Sequence, residues 1–237
     1  MTMIARRIVL RLDPTRSPDG SLPHAMRLAK AFHAELAARM IADTRLAGGL
    51  AFAAPGVERQ LRRAEANLRR ELTGLAKRES AICTFEVVHC AGILARECTM
   101  DAGDIVAIEL PRMEVSRTEL REEIAATLGH ARGIVLLPAT EGTLIGPVVV
   151  VVEHRMHSSP LIEQAEAIAR ALNAPLKIVE RDGDVERQEA GDIATAIRRL
   201  GAILAVVDAK DPIVDAFIAR PRFLREMATP LLLLKPA

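Results

Sequence analysis

Residues Ile8–Asp13 read IVLRLD, and residues Val148–Glu153, 140 positions further on, read VVVVVE. An apolar run of this length, broken in the first case only by Arg11, is the pattern of a strand buried on both faces of a parallel sheet. The echo continues at the same spacing: Ala25, Ala29, Ala31, Ala34 and Leu36 fall on Ala165, Ala169, Ala171, Ala174 and Leu176. A second spacing, 98, places Ile105, Ala107, Pro138 and Ala139 on Ile203, Ala205, Pro236 and Ala237. The spacings differ by 42 residues, the stretch that the second half lacks. Self-similarity of this kind points to duplication followed by trimming. It gives two domains, residues 1–140 and 146–237, joined around Ala139–Pro147.

Each half alternates strand and helix. In the first, strands are expected at Ile8–Leu12, Glu35–Ile41, Thr84–His89, Asp104–Glu109 and Ile134–Leu137, with a helix over Leu22–His33. Val57, Leu61, Ala64, Leu68, Leu72 and Leu75 recur at helical spacing and make one long amphipathic helix. Its stripe spans fewer than three heptads, which favours packing on its own sheet over a coiled-coil seam. The second half offers strands at Val148–Val152, Leu176–Val179, Ile203–Val207 and Leu231–Leu234, with a remnant of strand three near Val185 and no counterpart of the long helix. Strands separated by helical stretches imply right-handed crossovers and parallel pairing. The expected class is α/β: two Rossmann-like doubly wound parallel-sheet domains in tandem, the second shortened.

Composition narrows the function. The 237 residues carry 32 basic and 31 acidic side chains, no Trp, no Tyr and five Phe. A balanced charge gives no bulk attraction to nucleic acid, and so few rings leave no base-stacking platform. A chain of this size buries roughly 70–75% of its unfolded surface, so the core is aliphatic. The stretch from Gly133 to Val152 is apolar enough to suggest a membrane span, but Pro138, Glu141, Gly142, Gly146 and Pro147 interrupt it. Two buried strands and a turn-rich linker fit it better. The N-terminal MTMIARRIVLRLD lacks the uninterrupted apolar core of a signal peptide. Cys83, Cys90 and Cys98 have no zinc-like pairing and read as reduced thiols, a coordinating trio with His89 being the alternative. The expectation is a cytoplasmic protein with no membrane insertion.

At this point the chain resembles the universal stress protein family. The likeness rests on IVLRLD with the following helix and strand ending in KAFHAELAARMIAD, on AGDIVAIE as a fourth strand, and on HARGIVLLP and ATPLLLLKP closing the two halves. The resemblance implies strand order 3-2-1-4-5 in the complete domain, and a homodimer or an intramolecular pseudo-dimer of the tandem domains. It also implies an adenine-nucleotide site, for ATP, where strands one and four diverge, in keeping with ligand binding at a topological switch point.

The family's glycine-rich phosphate loop follows strand four. Here that region reads LPRMEVSRTELREEIAATLGHA in the first half and DAKDPIVDAFIARPRFLREMA in the second, and neither carries the glycines. Such glycines let backbone N–H groups approach phosphate. Ser116 and Glu119 form a capping-box pattern that satisfies its own helix start. Losing two or three charge-assisted bonds of about 1.5–3 kcal/mol each weakens phosphate binding by about a hundredfold or more. The expected function is therefore a stress-related binding or regulatory protein with degenerate nucleotide sites and no assigned catalytic residue. The alternative is a nucleotide-binding or weakly hydrolysing member with a phosphate site rebuilt around Arg112 or Arg117.

Candidate ligand-binding residues are Asp13, which matches the family's acidic residue at the adenosine end, with Thr15, Ser17, Ile41, Arg112 and Glu153. Asp13-Pro14 also reads simply as a turn. In the second half the loops after strands one and four carry His154 and His157, and Asp208 and Asp211. Carboxylates and imidazoles are ligands for zinc or manganese, so these four are weak metal candidates, against a polar rim that has lost its ligand.

Overall fold

The computed structural model describes residues 4–12, 21–43, 55–90, 100–110, 117–138, 145–154, 160–181 and 187–235. In chain order the first half supplies β1 (Arg7–Leu12), α1 (Ser21–Ala31), β2 (Glu35–Asp43), α2 (Pro55–Glu79), β3 (Cys83–Cys90), β4 (Asp104–Glu109), α3 (Arg117–His130) and β5 (Gly133–Leu137). The second supplies β6 (Val148–Glu153), α4 (Pro160–Ala171), β7 (Leu176–Arg181), α5 (Arg187–Arg199), β8 (Leu204–Asp208), α6 (Pro212–Ile218), α7 (Pro221–Met227) and β9 (Leu231–Leu234). Among the described residues nine strands form one sheet of order β3-β2-β1-β4-β5-β9-β8-β6-β7. The first five run in the expected 3-2-1-4-5 order, and β7-β6-β8-β9 repeats its 2-1-4-5 portion. Pairing is parallel except between β5 and β9, where the halves meet antiparallel.

Side chains alternate across the sheet, so each strand feeds two apolar layers. Ile8, Leu10 and Leu36 face α1 on one side, and Val148, Val150 and Val152 join the same layer under α4. On the opposite side Ile134, Leu136, Val149, Val151, Ala205 and Val207 pack against α3, α5, α6 and α7. Each layer runs through both halves. Within α2, Leu68, Leu72 and Leu75 are buried beside α1 and β3, so its stripe packs on its own sheet.

The helix ends repeat as well. His33 and Asn173, 140 residues apart, both take left-handed φ, 53° and 51°. The following amides, Ala34 N and Ala174 N, donate to Ala29 O and Ala169 O at 2.8 and 2.9 Å. This closes α1 and α4 with the same left-handed C-terminal turn.

Three sequence expectations are corrected. First, the spacing of 98 slips by one residue. Ile8 pairs with Ile105 and Val148 with Leu204, which equates β4 and β8 at a spacing of 99. Val106 pairs with Ile134 and its equivalent Ala205 with Leu231, which equates β5 and β9 at 97. A one-residue slip turns every side chain to the other face, and Ala107 does face the α1 layer while Ala205 faces the opposite one. Second, β8 is Leu204–Asp208 rather than Ile203–Val207, one residue later. Third, β7 runs past Val179 to Arg181, because His154 N donates to Arg181 O at 2.8 Å and keeps the ladder closed. The proposed strand remnant at Val185 lies outside the described residues, between β7 and α5.

The missing counterpart of α2 leaves a clear trace. Met26 is wholly buried, yet its equivalent 140 residues on is Glu166, which is exposed enough to pair with Arg170 on the same helix. Ala38 is buried and its equivalent, Ile178, is 45% exposed.

Candidate functional site

In an open parallel sheet the crevice lies beyond the carboxyl ends of the strands where the strand order reverses. In the second half that point falls between β6 and β8, with β7 beside β6. Arg181, the last residue of β7, reaches across it from a position only 5% exposed. Its Nε lies 2.9 Å from Asp211 Oδ1 and 3.0 Å from Oδ2, and its Nη2 lies 3.8 Å from Glu153 Oε2. Asp211 is nearly as buried as Arg181. It is also the N-cap of α6, where its Oδ1 accepts from Ile213 N at 2.9 Å. Asp208 closes the preceding turn: its Oδ1 accepts from Lys210 N at 2.8 Å, and its carbonyl accepts from Asp211 N at 2.9 Å.

His154 stands outside this network. Its exposed ring places Nδ1 2.6 Å from Glu180 Oε2 on the neighbouring strand. The structure thus brings Glu153, Asp208 and Asp211 to one rim, while His154 turns to β7. Among the described residues no three His, Cys, Asp or Glu side chains form a metal-holding group. His157 lies outside the described residues. Arg181, which sequence reasoning passed over, is the cation that organises the rim. The sequence carried little signal for it: β7 is a half-exposed edge strand, and only in the fold is its last residue buried and paired.

In the first half Asp13, Thr15, Ser17 and Arg112 lie outside the described residues. Ile41 pairs with Val88 in the β2·β3 ladder, and the 140-residue spacing makes it the counterpart of Arg181. Asp13 corresponds in the same way to Glu153. At 99, the spacing of β4 and β8, Glu109 corresponds to Asp208 and Arg112 to Asp211. The two halves therefore carry charge in different patterns at the same strand ends. At the end of β4, Glu109 Oε2 accepts a 2.8 Å bond from Ser21 Oγ, the first residue of α1 and wholly buried. A carboxylate thus sits against the positive end of α1, where a bound anion would otherwise find favourable dipoles. On the other face Arg11 forms an ion pair with Glu123 of α3, and Arg39 with Glu86 across β2 and β3.

No family model and no curated protein matches this chain. Solved structures do. A functionally unknown protein, PA1789, from Pseudomonas aeruginosa PAO1 superposes with a TM-score of 0.61 at 11% identity, over 98% of this chain and 93% of that one. A universal stress protein from Archaeoglobus fulgidus DSM 4304 gives a TM-score of 0.61 at 9% identity, over 97% of this chain and 96% of that one. At such identities the likeness establishes the fold alone: an α/β architecture with a mostly parallel central sheet, shared with those two structures. Among the described residues, no helix is long and apolar enough to cross a membrane.

Proposed function

We propose that this chain is a stress-related binding or regulatory protein whose nucleotide sites are degenerate, the second one closed by its own ion pairs. One observation carries the reading: Arg181 spans the β6–β8 crevice, with both Asp211 oxygens on its Nε. A nucleotide entering there must displace a buried, satisfied ion pair, at a cost of several kcal/mol. A divalent ion seeking Asp211 meets the same guanidinium. In the first half the Glu109 carboxylate at the head of α1 repels a phosphate approaching the end of β4. The residues present therefore do not fit an adenine nucleotide held in the family's manner.

The reading includes the architecture. Residues 1–140 and 146–237 act as two copies of one unit, and the antiparallel β5·β9 seam supports an intramolecular pseudo-dimer in place of a homodimer. Calorimetric titration with ATP, ADP and AMP, each with magnesium, tests the proposal. The expected result is no saturable heat up to millimolar nucleotide. Saturable binding in the micromolar range overturns it.

A further inference from the structure

We infer that the outer flank of the first half, where α2 overhangs β3, is a docking groove for an extended acidic segment of a partner protein, which adds to the sheet beside β3. A cavity of about 330 Å³ lies there, floored by Leu72, Ala76, Cys83 and Phe85. Its rim is one stripe of α2: Arg69, Thr73 and Lys77 stand at i, i+4 and i+8 and so share a face. Among the described residues two cations and no carboxylate line it. Arg69 is held over the Phe85 ring at 5.0 Å, with Glu65 3.2 Å away on the same helix. Lys77 lines the groove from an exposed position and has no ion-pair partner among the described residues.

The strand supplies the second half of the argument. β3 ends the sheet, and among the described residues nothing pairs with its outer edge. Leu36 N donates to Ile82 O at 3.0 Å, so the even-numbered residues of β3 serve β2. The backbone groups of Cys83, Phe85 and Val87 therefore face outward, over about 13 Å of edge. A strand laid there satisfies these donors and acceptors, while carboxylates on its α2 side meet Arg69 and Lys77. Main-chain pairing supplies affinity and the two cations select for charge. The Cys83 thiol, raised by burial, stays neutral at physiological pH and adds no competing anion.

The test uses the full chain and two octapeptides with the same N-terminal fluorophore, one alternating glutamate with threonine and the other lysine with threonine. Fluorescence anisotropy is expected to give saturable binding of the glutamate peptide alone. Lys77→Glu, at a surface position and with an unchanged circular dichroism spectrum, is expected to weaken it at least tenfold. Hydrogen exchange is expected to slow at Cys83, Phe85 and Val87. Equal binding of both peptides, no binding of either, or protection elsewhere overturns the inference. Complete displacement by inorganic phosphate reassigns the groove to small anions, and a dimer in light scattering that Lys77→Glu dissolves reassigns it to a second copy; either also overturns it.

Discussion

Val135 and Leu232 face each other across the antiparallel seam of the sheet, and the pairs on either side exchange under a half turn about their midpoint. Ile134 opposite Leu233 becomes Leu136 opposite Leu231. The seam is therefore matched to itself, so both apolar layers continue through it without changing face. The strands lie close at Gly133, where an added Cβ would sit 2.7 Å from Leu233 O.

Gly133→Ala is expected to lower stability by about 1–3 kcal/mol, because backbone must shift to admit the methyl group. Gly74, inside α2 with nothing within 4 Å of an added Cβ, is the contrasting site. Gly74→Ala is expected to raise stability by about 0.5–1 kcal/mol. Urea unfolding of both variants reads the two signs directly.

Removing the cation from the second-half rim strands a buried carboxylate. Arg181→Leu is expected to cost about 3–5 kcal/mol. Asp211→Asn keeps a capping oxygen for α6, so the double variant is expected to lose clearly less than the two single losses summed. A double-mutant cycle in urea measures the coupling; strict additivity would contradict the ion-pair account.

Leu72, only 2% exposed, anchors α2 to its own sheet. Leu72→Ala is expected to cost about 2–5 kcal/mol. If the stripe packs within the chain, that loss is independent of protein concentration. A loss that grows on dilution would instead place α2 at an interface between chains.

Burial, with a smaller contribution from Glu35, pushes the Cys83 thiol up from 9.0 to about 11. The unfolded thiol ionises first as pH rises, while the folded one holds its proton. Stability is therefore expected to fall between pH 9 and about 11. In a chain carrying Cys90→Ser and Cys98→Ser, iodoacetamide is expected to modify Cys83 far more slowly at pH 8 than it modifies free cysteine. Alkylation at the rate of free cysteine would contradict the shift.

The strands were legible because their apolar runs are long and bounded. Asp104–Glu109 and Leu231–Leu234 fall where the pattern puts them. Register was not legible at the ends of the halves, because a run such as LLLL has no period to fix which face each residue takes. The match of Pro138 with Pro236 then drew the alignment one residue off. At the candidate site, topology alone brings Glu153, Asp208 and Asp211 together, since loops after adjacent strands converge. Arg181 and Asp211 lie 30 residues apart, and Ser21 and Glu109 lie 88 apart. Neither pair belongs to a motif, and only the folded distances join them.

The half turn at the seam also sets directions. β1 and β6 run oppositely, with β4, β5, β9 and β8 between them, about 24 Å apart across the sheet. The mouths beyond their carboxyl ends therefore open at opposite poles of the molecule. One small ligand cannot bridge them, and a flat partner laid on one pole leaves the other uncovered. The Arg181–Asp211 rim and the Ser21–Glu109 pair therefore sit at opposite ends of the strands, so a substitution at one leaves the surroundings of the other unchanged.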